Sequence, residues 1–400
     1  MVIHFIKSQL FKLYSFASTI KHSGAFSLFR SLKSVFRFLV AEQHARRWCV
    51  AKSYPVFAAA VAVCLCSCQK EKLNDSATLN STSSSGSSAE ARSGFGLPWQ
   101  HKDPVILYGS LIDAPETGNS AEFEFAVGDQ LGISCLRERV VVPARSLSVN
   151  LVPELNTRYK VLLNFVTPNS SDGSLLPFVS DLVQYQIDLN NILNTFTVMP
   201  EVAVIENEEG NRFYYSGTAS EYIDQLNAAI LVMHARGIKV ANGGLGGGLE
   251  YLVYQDLLDQ GKEDAAEEFR KITHVTPNNP HTQEKGAFVD ELLTNYATMD
   301  LDYVNFHWKC SSPDDVEALE DAINYLKKRC NKPIISNELG QFDKDPNTLL
   351  EMMQLCTDAK MPYVLWYSPD ENAGKRDTPL QHNDATLTRT GVAYQGFLAD

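Results

Sequence analysis

Val202-Ala203-Val204-Ile205 runs into Glu206-Asn207-Glu208-Glu209, and Pro333-Ile334-Ile335 runs into Ser336-Asn337-Glu338-Leu339-Gly340. A short apolar run is enough for a buried strand, and a carboxylate where such a strand ends is displayed rather than packed. Two displayed carboxylates can divide acid and base work, one giving a proton while the other meets a carbon short of electrons. Cleavage of an acetal needs such a pair. The first run offers three acids in four positions. Strand alternation places Glu206 and Glu208 on one face and Glu209 on the other, and Asn207 as a neighbour favours Glu208.

The elements that must carry these residues follow a simple alternation. From Trp99 onward, short apolar runs alternate with amphipathic stretches, the pattern of repeated βα units on a parallel sheet. The predicted strands are 105–112, 132–137, 159–165, the run from Val202, 238–242, 301–308, the run ending at Glu338, and 362–367. Helices are expected over 122–131, 178–196, 220–235 with Ser220 as its cap, 254–272, 287–296, from Ser312 to about Lys328, 346–360 and 391–398. Eight strands in about 300 residues predict an α/β fold, a (β/α)8 TIM barrel over residues 99–400, whose catalytic residues come from the carboxyl ends of strands. Glu208 then ends the fourth strand and Glu338 the seventh. The run Gly243-Gly244-Leu245-Gly246-Gly247-Gly248 satisfies no GxGxxG register and precedes no Lys-Ser/Thr pair, so it reads as a pliable loop over an active site.

These residues resemble the clan A glycoside hydrolases, retaining enzymes on TIM barrels with an Asn-Glu pair on strand four and a nucleophile on strand seven. Asn207-Glu208 matches the first motif and Glu338 the second, 130 residues later. The resemblance implies that Glu208 is the general acid/base and Glu338 the nucleophile of a glycosyl-enzyme intermediate. It also implies carboxyl groups about 5 to 5.5 Å apart, with Glu208 protonated and Glu338 ionised. A substrate-binding shell comes with it. Arg137, at the end of strand two, holds the nucleophile's carboxylate, and Asn207 binds the hydroxyl next to the reacting carbon. His307 takes a position that is often His or Tyr, and Trp366 forms a platform under the sugar ring, with Trp308 and Tyr367 beside it. Glu209 departs from the family, where many members have proline.

The residues alone allow plainer roles. Arg137 equally reads as an ion-pair partner of Glu138, His307 and Trp308 as rim packing, and Asn164, Asn242 and Asn305 as pocket lining or turn chemistry. A carbohydrate-binding lipoprotein without catalysis is the alternative on the same barrel. No cofactor is implied. Cys135, Cys310, Cys330 and Cys356 show no CxxC and no metal-like spacing, so no metal site and no disulfide is predicted.

The first part of the chain has a different character. Residues 1–67 carry nine Lys/Arg and one acidic residue, so of the total charge of −13 the remainder holds −21. Such an acidic body argues against nucleic acid as a partner. The apolar run Pro55 to Cys66 follows Arg46, Arg47 and Lys52, has the charged flank of a secretory signal, and is short for a membrane span. Leu65-Cys66-Ser67-Cys68 resembles a bacterial lipobox, which makes Cys68 the lipid-bearing residue and places the protein in the cell envelope, anchored to a membrane. Residues 1–45 are basic and acid-poor ahead of a complete signal, and a start codon set too far upstream accounts for them. Residues 68–98, with Ser81-Thr82-Ser83-Ser84-Ser85-Gly86-Ser87-Ser88, read as a flexible tether.

Overall fold

The computed structural model describes residues 105–399 apart from 116–119, 144–151, 168–174, 176, 213 and 372–376. The basic segment, Cys68 and the Ser-rich tether lie outside the described residues. The chain begins with β1 (Leu107–Ile112), α1 (Ser120–Leu131), β2 (Cys135–Val141) and the single turn α2 (Val152–Leu155). β3 (Lys160–Val166) and α3 (Leu182–Leu193) lead to β4 (Val202–Ile205), α4 (Ala219–His234) and β5 (Lys239–Asn242). Three helices follow, α5 (Leu249–Asp259), α6 (Glu263–Thr273) and α7 (Pro280–Tyr296). β6 (Val304–Cys310), α8 (Val316–Cys330), β7 (Ile334–Gln341), α9 (Pro346–Asp358), β8 (Tyr363–Ser368) and α10 (Arg389–Ala399) complete the chain.

The eight strands form one parallel sheet in the order 5-4-3-2-1-8-7-6. Its two outer strands meet through the bridges Ala241–Tyr303 and Leu245–Phe306, so the sheet closes into a TIM barrel. Side-chain amides complete this seam. Asn242 Oδ1 accepts from the Asn305 N–H at 2.7 Å and its Nδ2 donates to the Asn305 carbonyl at 2.8 Å, as a neighbouring peptide would.

Alternation along the strands separates two cores. Inside the barrel lie Cys135, Leu162, Val202, Val204, Ala241, Tyr303, Ile335, Tyr363 and Leu365. The residues between them, such as Leu136, Phe165, Ala203, Phe306 and Val364, join the layer under the helices. Cys135, Cys310, Cys330 and Cys356 are buried free thiols. Among the described residues no helix is long and apolar enough to cross a membrane.

Several boundaries differ from expectation for local reasons. The helix expected over 254–272 is two, because Gly261 takes φ 71° and ends α5, and Glu263 and Asp264 then suit the positive end of α6. Thr218, not Ser220, caps α4. Its hydroxyl accepts from the Glu221 N–H while the Glu221 carboxylate accepts from the Thr218 N–H, a reciprocal capping box. β2 runs on to Val141 and β6 to Cys310, beyond the expected ends at 137 and 308, which puts Arg137 inside its strand and brings Lys309 onto β6.

Candidate active site

The end of β4 does not keep its alternation. Glu206 and Glu208 both adopt left-handed backbone, at φ 67° and 51°. That conformation is costly for residues with a Cβ, so it persists where the surroundings impose it. It turns Glu206 outward, contrary to the expectation that it shares a face with Glu208. Glu206 is fully buried and accepts from Thr167 N–H, Tyr215 Oη and Gln225 Nε2. Glu209 is buried as well, accepting from Asn242 Nδ2 and Tyr296 Oη at 2.7 and 2.8 Å. Burial pushes both carboxyls up, and both serve the structure around the site. Glu208 alone of the three turns to the barrel mouth. Its Oε1 lies 3.2 Å from His307 Nδ1, and its Oε2 accepts from Asn211 Nδ2 at 2.7 Å.

Glu338 arrives by a different device. His307 pairs with Glu338 although Asn305 pairs with Ile335, and Leu339 pairs with Trp366 although Ser336 pairs with Val364. β7 therefore holds one residue more than either neighbour, a β-bulge between Ile335 and Leu339. Because of it, Asn337 and Glu338 both reach inward although they are consecutive. Glu338 Oε2 accepts from Arg137 Nη1 at 2.5 Å and lies 3.7 Å from His307 Nδ1, while Lys309 Nζ is 3.4 Å from Oε1. One oxygen of Glu208, one of Glu338 and a ring nitrogen of His307 all fall within 4.8 Å of one another.

Arg137, buried in β2, spends its donors on this cluster. Besides Glu338 it serves the Asn337 carbonyl, Asn207 Oδ1 at 2.5 Å and Asn164 Oδ1 at 3.1 Å. It forms no pair with Glu138, which faces Glu124 of α1. Asn207 thus presents its oxygen to Arg137. Lys309, one residue beyond the predicted strand 301–308, pairs with Asp377 at 2.6 Å and lies 4.6 Å from the centre of the Tyr367 ring. Its signal was its place two residues beyond His307 on the same strand face.

Electrostatics set the two glutamates apart by degree. Burial opposes ionisation of Glu338, but the charges of His307, Arg137 and Lys309 outweigh it and hold the carboxyl well below its ordinary value. Burial likewise opposes ionisation of Glu208, and His307 together with Asn211 outweighs it, so this carboxyl also lies below its ordinary value. The surroundings thus push Glu208 down, the reverse of the direction that the resemblance implies.

The tryptophans do not reach the site. Trp366 follows the inward Leu365, so it points into the helix layer, is 0% exposed and packs against Tyr394 with ring centroids 6.5 Å apart. Trp308 alternates with His307 and Lys309 and packs outward against Phe269. Neither can lie under a sugar ring. Tyr367, one residue on, does face the mouth and donates to Asp113 at 3.3 Å. The exposed aromatics near the acids are others. Phe342 lies 6.0 Å from Lys309 Nζ, and Tyr214 has its hydroxyl pKa raised by burial and by the charges of Glu208 and Glu338.

No protein-family model matches the chain, and no curated protein matches it. Among solved structures it is similar to a GH128 (subgroup II) endo-β-1,3-glucanase of Sorangium cellulosum at 13% identity and TM-score 0.46, covering 72% of this chain and 98% of that one. It is also similar to a GH128 (subgroup VI) exo-β-1,3-glucanase of Aureobasidium namibiae, at 12% identity and TM-score 0.46, over 74% and 97% of the two chains. A GH128 (subgroup VII) oligosaccharide-binding protein of Cryptococcus neoformans shows 15% identity and TM-score 0.41 over 74% and 94%. These are likenesses of chain trace, and the chemistry rests on the atoms of the site.

Glu208, His307 and Glu338 offer three donor atoms close enough for one metal ion. Arg137 and Lys309 already stand on Glu338, however, and both would repel a divalent cation there. The arrangement fits a carboxylate already balanced by Arg137 and Lys309 better than a metal centre. The glycine run has a steric task as well. Gly244 has φ 112°, and a Cβ there would lie 2.2 Å from His307 Nε2, so this stretch supports the histidine instead of forming a pliable cover.

Proposed function

We propose that the protein is a retaining glycoside hydrolase acting on a poly- or oligosaccharide. The observation that carries this reading is the meeting of Glu208 and Glu338, from β4 and β7, with an oxygen of each within 4.8 Å of the other. Retaining enzymes hold their carboxyl groups about 5 to 5.5 Å apart, whereas inverting enzymes leave about 6.5 to 9.5 Å for a water. Glu338, kept ionised by Arg137 and Lys309, suits attack on the anomeric carbon. Glu208 is the partner that protonates the departing oxygen and then draws a proton from water. Tyr214 and Phe342, both exposed, take the place of the two tryptophans as apolar surface for a sugar ring. The same reading ties the chain to a membrane of the cell envelope through a lipid on Cys68.

Glu338→Gln and Glu208→Gln are expected to fold normally and to lose at least about 10²-fold in hydrolysis across a panel of aryl glycosides and glycans. Azide added to Glu208→Ala should yield a glycosyl azide of retained configuration. A folded Glu338→Gln protein with undiminished turnover would sink the proposal. Calorimetric binding of glycans without turnover by the unaltered protein would leave only a carbohydrate-binding role.

A further inference from the structure

His307 stands between the two carboxylates, and its tautomer can be derived from hydrogen bonds whose donors are beyond dispute. The Asn337 backbone N–H donates to Asn305 Oδ1 at 3.0 Å, so the other end of that amide, Nδ2, must be a donor. Asn305 Nδ2 lies 2.7 Å from the Asn337 side chain, which must therefore present its oxygen. That oxygen is 2.9 Å from His307 Nε2. Nε2 consequently carries a hydrogen in every protonation state that keeps this contact. The remaining amides agree. Asn337 Nδ2 donates to Asn164 Oδ1, which also accepts from Arg137 Nε, and Asn164 Nδ2 donates to the Glu206 carbonyl.

With Nε2 fixed as a donor, only Nδ1 can change. Facing Glu208 Oε1 at 3.2 Å, it either donates to a carboxylate as imidazolium or accepts from a carboxylic acid as neutral imidazole. Resting on the reading above, we propose that one proton is shared between His307 Nδ1 and Glu208 Oε1, held on the histidine at rest and passed to Glu208 as the charge of Glu338 is consumed.

The charges around the ring favour that order. Glu338 Oε2, 3.7 Å from Nδ1, stabilises the imidazolium while it is ionised, whereas Arg137 on β2 and Lys309 on β6 oppose it; Glu209, which reaches Asn242 of β5, adds to the stabilisation only when ionised, and burial opposes that. When Glu338 forms its bond to the anomeric carbon, the negative charge 3.7 Å from Nδ1 is consumed; that charge had favoured a proton on Glu208 as well, so the direction of transfer is set by the departing oxygen, which gains negative charge beside Glu208 as its bond breaks. The Nδ1 proton then moves to Glu208, and Glu208 gives it to the oxygen whose bond to that carbon breaks. In the second half, water attacks the carbon, its proton passes through Glu208 back to Nδ1, and the Glu338 carboxylate is restored. One water is consumed and two hydroxyls appear. The arrangement reconciles a Glu208 carboxyl held below its ordinary value with its work as an acid. His307 acts through Glu208, as a positioning residue that stores a proton.

The test compares His307→Gln with the unaltered full chain. The basic limb of the kcat/KM profile should move to lower pH by more than about one unit, because Glu208 alone loses its proton earlier. The rate deficit should grow with the leaving-group pKa of the aryl glycoside, to about 10²-fold for the poorest. Nitrogen-15 NMR of the unaltered protein should show His307 Nδ1 protonated at rest and unprotonated once Glu338 is trapped with a 2-deoxy-2-fluoro glycoside of the sugar found in the panel. An unmoved basic limb, or an unprotonated Nδ1 at rest, overturns the inference. If Glu208→Gln and Glu338→Gln keep full turnover, the hydrolase reading itself has failed, a different result from an unmoved limb with both glutamates essential.

Discussion

Glu206, Glu208 and Glu209 share a chemistry and differ only in what surrounds them. Two lie buried among hydroxyl and amide donors, and one reaches a histidine and the open mouth of the barrel. The aromatic residues divide in the same way. Trp366→Ala removes a fully buried indole and should cost about 3 to 5 kcal/mol in denaturant unfolding, with the KM of the surviving protein little changed. Phe342→Ala removes an exposed ring near Lys309 and should do the reverse, raising KM about tenfold with little effect on stability. The opposite pattern would restore Trp366 to the sugar site.

At the scale of elements, strand ends and loop backbones aim the side chains. Gly244→Ala would drive a methyl into the His307 ring from a backbone at φ 112°. Activity is expected to fall at least about 10²-fold, since a displacement near 1 Å suffices for that; an active, stable variant would show that the ring has room to move. Where α1 packs on β2, Glu124 faces Glu138, and burial, then the Glu138 charge and hydrogen bond, push the Glu124 carboxyl up to about 9. An acid raised above its unfolded value of about 4.3 contributes stability that is present below that value and is lost as pH rises toward about 9. Glu338, held low, works in the opposite sense, losing its contribution as pH falls below the unfolded value. Glu124→Gln imitates the protonated carboxyl, so it should gain about 1 kcal/mol or more near pH 8 and flatten the decline between pH 5 and 9, as read by denaturant midpoints.

For the molecule as a whole, the barrel brings residues from β2, β4, β6 and β7 to one end, the end where this fold presents its chemistry. The proposed lipid on Cys68 makes its own prediction, separate from that of the barrel. Cys68→Ser should leave the thermal transition of the barrel unchanged, abolish palmitate labelling and move the protein from the detergent to the aqueous phase on Triton X-114 partition. Labelling that survives the substitution would rule out Cys68 as the lipidated residue.

The eight-strand alternation was readable from the sequence, with Glu208 in the turn after the fourth strand and Glu338 within the seventh, because apolar runs and turn residues act over a few neighbours. Only the tertiary structure decided which side chains enter the barrel. Two left-handed residues beside Asn207 turned Glu206 away, one extra residue in β7 brought Asn337 in beside Glu338, and unbroken alternation in β6 and β8 sent Trp308 and Trp366 outward. A shift of a single residue exchanges the two faces of a strand, and nothing within a strand's own sequence records the register of its neighbour. The direction of each buried amide, and with it the tautomer of His307, likewise depends on partners between 30 and 173 residues apart in the chain.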